Sequence, residues 1–246
     1  MDRLLYISTI GASQIEQAQT VHANNLANVS TTGFRADFAQ VQSRWVEGDG
    51  YPARVYGITQ SPGTDLSSGL LRQTDRALDV AVEGAGFLTV QMPDGSEAFT
   101  RAGELQVDAV GRLLTREGLP VVGDGGPIAL PPYETLVVGG DGSITVRPEG
   151  QGPETLVQIS RLKLVNPPAE DIAKATNGLM VRKDGLIEPA DPTVAVVSGF
   201  LESSNVNAVH ELTEILGLAR QFELEVRMMQ TAQTNDEAAS QLVQVS

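Results

Sequence analysis

Cysteine is absent from the 246-residue chain. Its absence excludes structural disulfides, thiolate zinc sites, iron–sulfur clusters and cysteine nucleophiles. Histidine is almost missing as well: His22 and His210 stand far apart, so no multi-histidine metal site is expected, and no calcium-loop spacing of Asp residues occurs. Lysine chemistry has only Lys163, Lys174 and Lys183 to draw on. Basic residues number 17 against 31 acidic, a net charge of −14, with no basic run to offset it. Such a chain repels nucleic acid and anionic lipid headgroups, so nucleic acid is not expected as a partner. Long apolar runs are missing too. Residues 194–201 are interrupted by Ser198 and Gly199, far short of the ~20 apolar residues a bilayer requires. The opening Met1-Asp2-Arg3-Leu4-Leu5-Tyr6-Ile7 does not read as a secretory signal: Asp2 offsets Arg3, and polar Ser13-Gln14 follow early. The expectation is a cytoplasmic chain or one exported without a cleaved leader.

Proline is distributed unevenly. All 13 prolines fall within residues 35–204, while residues 1–28 and 207–245 have none. The ends therefore read as helices and the middle as turns and strands. On the first helix Leu4, Ile7, Gly11, Ala18 and Val21 share a stripe, with Leu5, Ala12, Ile15 and Leu26 beside it. Near the C-terminus a seven-residue pattern starts at Leu212 and continues through Ile215, Ala219, Phe222, Val226 and Met229 before Gln233 and Asp236 break it. That is a narrow coiled-coil seam. A helix over 207–245 runs roughly 58 Å at ~1.5 Å per residue, whereas a compact middle of this size is only about 40 Å across. Part of the seam must find a partner beyond the middle domain, first in the N-terminal helix and then in other subunits. The candidate subunit interface is therefore Leu4, Ile7, Ile15, Leu212, Ile215, Ala219, Phe222, Val226 and Met229.

The middle carries repeated hairpin signals, in which Asp-Gly or Gly-rich turns separate β-branched runs. Residues 87–90 lead through Pro93-Asp94-Gly95-Ser96 to 97–100, and 105–107 through 108–111 to 112–115. Residues 135–138 lead through Gly139-Gly140-Asp141-Gly142 to 143–147, and Asp184-Gly185 separates 179–181 from Leu186-Ile187. Residues 155–165 and 194–201 read as two more strands, and 169–173 as a short helical turn. The expected fold class is α+β: long N- and C-terminal helices, paired like a coiled coil, flank an irregular antiparallel β domain. The expected divisions are residues 1–34 (helix and turn), 35–74 (extended connector), 75–204 (β domain) and 205–246 (C-terminal helix).

Catalytic motifs are weak. Gly84-Ala85-Gly86-Phe87 lacks the third glycine of a dinucleotide loop and leads into a strand, so no helix N-terminus meets a phosphate. Gly123-Asp124-Gly125-Gly126 is followed by Pro127 instead of a P-loop lysine. Glu83, Asp108, Glu117 and Asp141 all sit at or near turns, which acidic residues favour, and both histidines lie on the terminal helices. A periplasmic glycan-acting enzyme would need two carboxylates in a cleft with raised pKa values. No catalytic residue, metal, cofactor or small-molecule substrate is expected.

The run Ala23-Asn24-Asn25-Leu26-Ala27-Asn28-Val29-Ser30-Thr31-Thr32-Gly33-Phe34 resembles the signature of bacterial flagellar rod and hook proteins. Physically it reads as a helix ending near Asn28. Asn and Thr side chains hydrogen-bond the freed backbone, Gly33 permits a left-handed turn, and Phe34 anchors the exit. Leu78-Asp79-Val80-Ala81-Val82-Glu83-Gly84-Ala85-Gly86-Phe87, then Phe99-Thr100-Arg101-Ala102-Gly103, resembles the start of that family's β domain. Gly199-Phe200-Leu201-Glu202-Ser203-Ser204-Asn205-Val206-Asn207 resembles the return to its C-terminal helix, with Ser204, Asn205 or Asn207 as N-cap. The ends look most like proximal-rod members, with distal-rod members the close alternative. The resemblance implies a structural subunit, exported unfolded by the flagellar type III apparatus and assembled in the periplasmic part of the basal body. Its partners would be copies of itself, other rod subunits and the export apparatus. Head-to-tail contacts would build an open helical tube transmitting torque from motor to hook.

Overall fold

A computed structural model describes residues 2–45, 55–60, 63–150, 152 and 155–244, and the chain divides into two compact units. Residues 46–54, 61 and 62 of the expected connector lie outside the described residues. The α+β class is observed: two long helices and a set of irregular antiparallel sheets.

The helical unit comprises Met1–Asn28, Asp37–Gly63 and Val206–Ser246. Helix α1 spans Asp2–Ala27, strands β1 Gln40–Trp45 and β2 Val55–Gln60 form a hairpin, and α2 spans Ala208–Gln244. Asn207 caps α2, its Oδ1 accepting from the amides of Val209 at 3.0 Å and His210 at 3.2 Å. This satisfies donors that a helix start leaves without partners. The helices pack antiparallel: His22 meets Glu211, Gly11 faces Glu225, and Thr9 lies 3.6 Å from the Met229 sulfur. Small side chains on α1 allow this approach, with Ser8, Ala12 and Ala18 buried. In the hairpin, Gln40 stands opposite Gln60 and Trp45 opposite Val55. A two-stranded ribbon is marginal alone, and β2 lies against α1.

The β unit comprises Val29–Ala36 and Thr64–Asn205. Its strands are β3 Leu71–Gln73, β4 Val80–Glu83, β5 Phe87–Gln91, β6 Glu97–Thr100, β7 Leu105–Val107, β8 Leu113–Thr115, β9 Val122–Gly123 and β10 Gly126–Pro127. They continue as β11 Tyr133–Val138, β12 Ser143–Pro148, β13 Val157–Arg161, β14 Leu164–Val165, β15 Ile172–Lys174, β16 Met180–Arg182, β17 Ala195–Ser198 and β18 Phe200–Glu202. A five-stranded sheet runs in the order β14-β5-β6-β16-β15 and a three-stranded one as β11-β12-β13. The remaining strands pair as β17–β4, β18–β3, β7–β8 and β10–β9. The main core gathers Val80, Leu88, Leu105, Leu113, Ile144 and Val146, each at most 1% exposed. The Asp-Gly-Ser turns close two of the hairpins: Asp94 Oδ1 accepts from the Ser96 amide and hydroxyl, and Asp141 Oδ1 from those of Ser143.

Two local expectations fail. Residues 179–187 do not form a hairpin across Asp184-Gly185. Strand β16 pairs with β15 instead, Ala173 opposite Val181, and Met180 bridges to Phe99 of β6. That pairing buries Met180 and Ile172 with Phe87, Phe99 and Val165, a larger apolar gain than a local turn offers. The same pairing makes residues 172–174 a strand, not the end of a helical turn, and leaves Leu186 and Ile187 in solvent.

Candidate functional site

In the helical unit, the face that α2 turns to α1 keeps the seam positions Ile215 and Met229 but is displaced by one residue where the seam has Leu212, Val226 and Gln233. Glu211, Glu225 and Ala232 face α1, one residue before Leu212, Val226 and Gln233. Glu211 is 6% exposed and Ala232 7%, while Glu225 has its carboxylate against Gly11, where an added Cβ would lie 3.0 Å from Oε1. Among the described residues, one Glu225 oxygen is buried with no hydrogen-bond partner, as is the hydroxyl of Ser8. Ile215 and Met229 are half-buried and belong to this intramolecular face, together with half-buried Ile15 of α1.

The remaining candidate interface residues divide. Ala219 and Val226 are half-buried. Leu212 is 50% exposed, Phe222 38% and, on α1, Ile7 51%. Leu4 stands on α1, but its side chain lies outside those described. Val209, Leu216, Leu224 and Met228 are exposed as well, although the sequence pattern did not single them out. At about 100° per residue, Val209, Leu212, Leu216 and Ala219 line one side of α2, next to the face that meets α1.

The polar base of the helix pair comes from the asparagine-rich motif. Asn25, 1% exposed, grips the backbone of Asp37 on both sides: its Nδ2 donates to the Asp37 carbonyl and its Oδ1 accepts from the Asp37 amide, both at 2.9 Å. The Asn25 amide also reaches Glu211 Oε1 at 3.4 Å, and His22 Nδ1 meets Glu211 Oε2 at 2.6 Å. Asn24 contributes its carbonyl, which accepts from the amide and side chain of Asn28 as the helix ends. Half-buried Leu26 and exposed Ala27 complete the last turn.

In the β unit, half-buried Thr32 precedes Gly33, which adopts φ +68° and donates its amide to the Glu202 carbonyl at 2.8 Å. Phe34 lies beneath the Lys174 ammonium, 4.0 Å from its ring centroid. Next to it Arg35 Nη2 donates to Glu202 Oε1 at 2.7 Å, and Arg101 Nη1 donates to Glu202 Oε2 at 2.9 Å. The Gly69 amide also donates to Oε1, and Arg101 reaches the carbonyls of Val82 and Gly84. All three charged side chains are at most 3% exposed. Burial is the main cause that lowers the Arg101 pKa; Glu202 opposes it and neighbouring Arg35 adds to it. Sequence reasoning did not assign Arg35, Arg101, Glu202 or Glu211 to a site. The signal available was a charged residue embedded in an apolar or glycine-rich motif.

A cleft of about 430 Å³ lies elsewhere in the β unit, lined by Glu97, Val122, Asp124, Lys163, Ile187 and Glu188 among others. Glu97 is ion-paired with Lys163 at 2.7 Å, and Glu188 with Arg182. Among the described residues, no group of His, Asp and Glu is arranged to hold a metal ion, and no helix is long and apolar enough to cross a membrane.

Residues 5–35 match the family of flagella basal body rod proteins, 81–150 the D1 domain of flagellar hook protein FlgE/F/G, and 197–242 the C-terminal region of flagellar basal body rod FlgEFG proteins. Over its whole length the chain is 38% identical to the flagellar basal-body rod protein FlgF of Escherichia coli K12, covering all of that protein. The chain belongs to the flagellar basal-body rod protein family. The rod protein FlgF of Salmonella typhimurium LT2 is 36% identical, again with both chains fully covered. The rod protein FlgG of Buchnera aphidicola is 30% identical, with 97% of this chain and 98% of that one covered. The rod-family matches take in both polar anchors: 5–35 holds His22, Asn25 and Arg35, 81–150 holds Arg101, and 197–242 holds Glu202 and Glu211.

Proposed function

We propose that this chain is a structural subunit of the proximal rod, built into the shaft that carries torque from the flagellar motor to the hook. The distal-rod alternative has less support, since the FlgG relative is 30% identical against 38% and 36% for the two FlgF proteins. The structural observation that carries the reading is the apolar side of α2, where Val209, Leu212 and Leu216 are each at least half exposed. Clustered exposed apolar side chains on a folded unit mark a surface that another chain covers. In this reading the face of α2 toward α1 holds the hairpin together, and the neighbouring stripe receives other rod subunits, including copies of this chain.

The expected divisions then take roles. Residues 1–34 and 205–246 supply the inner helical layers, 35–74 lead from the first of these into the β domain, and 75–204 form the outer wall. The subunit reaches the periplasm through the flagellar export apparatus and assembles without a cofactor. A non-catalytic role accords with the ion pairs that hold Glu97 and Glu188 in the β-unit cleft. The test is the double change Leu212→Asp with Leu216→Asp in a strain carrying it as the only copy. The variant should be exported with a folded β unit and be missing from the rod; its normal incorporation refutes this use of the stripe.

A further inference from the structure

The buried cluster of Arg35, Glu202 and Arg101 is one negative charge short. Two guanidinium groups face one carboxylate, and none of the three side chains is more than 3% exposed. Arginine cannot escape by losing its proton at any ordinary pH. The donors are also incompletely used: among the described residues, Arg35 Nε and Nη1 and Arg101 Nε are buried without a hydrogen-bond acceptor. Among the described residues, no second carboxylate pairs with Arg35 or Arg101. Gly69 donates to Glu202, Arg101 meets the carbonyls of Val82 and Gly84 and lies over the Phe87 ring, and the Lys174 ammonium, which is engaged elsewhere as well, donates to the Arg35 carbonyl outside the guanidinium–carboxylate cluster. A water molecule could accept hydrogen bonds here but would leave the charge uncompensated, and an uncompensated buried charge is strongly unfavourable.

We propose that this cluster binds a small monovalent anion against the unpartnered N–H groups of Arg35. The excess of one positive charge sets the valence. The packing nearby is close: a Cβ added to Gly33 would lie 2.3 Å from the Arg101 carbonyl carbon, and one added to Gly69 would lie 1.9 Å from the Ser203 oxygen. A single-atom halide fits such surroundings better than sulfate or phosphate does.

The probe is chloride, compared with gluconate at matched ionic strength, in urea unfolding of the full chain. Above the chloride dissociation constant, each tenfold rise in chloride should multiply the folded-to-unfolded ratio by about ten. Arg35→Met balances the charges and should abolish the difference between the two salts. Glu202→Gln adds to the positive excess and should enlarge the difference, even as it lowers stability. Should Arg35→Met fail to fold, the wild-type comparison and Glu202→Gln still decide. Equal stability of the wild type in both salts overturns the proposal and leaves water in the cluster. A chloride effect of the same size in Arg35→Met also overturns it, because the effect would then be a general response to salt.

Discussion

Replacing Gly33 by alanine tests how the end of the asparagine-rich motif is held within the β unit. Gly33 sits at φ +68°, a left-handed conformation that costs an L-residue about 1–2 kcal/mol. Steric contact costs more. A Cβ at Gly33 would lie 2.3 Å from the Arg101 carbonyl carbon and 2.4 Å from the Ala102 nitrogen. These are backbone atoms, so the clash cannot be relieved by swinging a side chain. Moving them displaces Arg101, whose guanidinium holds Glu202 at 2.9 Å in a fully buried pair. Complete loss of such a pair costs about 3–5 kcal/mol; a partial loss of about 2–3 kcal/mol on top of the conformational cost puts the destabilisation of the β unit by Gly33→Ala at about 3–5 kcal/mol in all. That corresponds to a fall of about 6–20 °C in its melting temperature. Gly95→Ala is the control: φ is +87° and nothing lies within 4 Å of its added Cβ, so only the ~1–2 kcal/mol conformational cost should appear. Urea unfolding of the full chain, read from midpoints at constant slope, measures both. Equal losses at the two positions refute the claim that Gly33 is required by contact with Arg101.

Glu225→Ala should stabilise the helical unit by about 1 kcal/mol, because it removes a carboxylate with an unpartnered buried oxygen facing Gly11 and adds a better helix former. The check is thermal melting followed by the helical circular-dichroism signal; a loss of stability would show that this carboxylate has a partner. The acid limb of stability should follow the turn aspartates. Hydrogen bonds from the Ser96, Ser143 and Thr193 side chains hold Asp94, Asp141 and Asp191 below the usual carboxylate range, and Arg182 holds Asp184 down to about 2. Folded values below the unfolded one contribute stability above about pH 4, and this is lost as pH falls toward about 2. Melting temperature measured between pH 5 and pH 2 should therefore drop across that window, and Asp184→Asn should make the drop shallower.

Much of the β unit was legible because its hairpins are specified locally. Asp94-Gly95-Ser96 and Asp141-Gly142-Ser143 encode their turns in three residues, and the strands on either side pair as expected. The Asp184-Gly185 turn misled for the opposite reason. Met180 and Ile172 gain more by burial with Phe87 and Phe99, far away in sequence, than by a hairpin between neighbours. The helices show a second limit of periodicity. An apolar repeat locates a stripe but does not say whether it serves the chain itself or a partner. Here the face toward α1 includes Glu211 and Glu225, which an apolar pattern passes over, while Leu212 remains half exposed. The Arg35–Glu202–Arg101 cluster was hidden because charged residues are ordinarily placed at the surface. Only the topology, which brings residues 35, 101 and 202 together, makes them internal.

Basal-body composition, measured in a strain whose only copy of this chain carries Leu212→Asp with Leu216→Asp, tests the central claim most directly. Both side chains are at least half exposed, so the change should leave the folded subunit intact while placing charge on the stripe assigned to neighbouring rod subunits. The account predicts that the wild-type chain is recovered in purified rods, that the variant is not, and that motility is lost with it. Rods of normal composition containing the variant, in motile cells, would contradict the account.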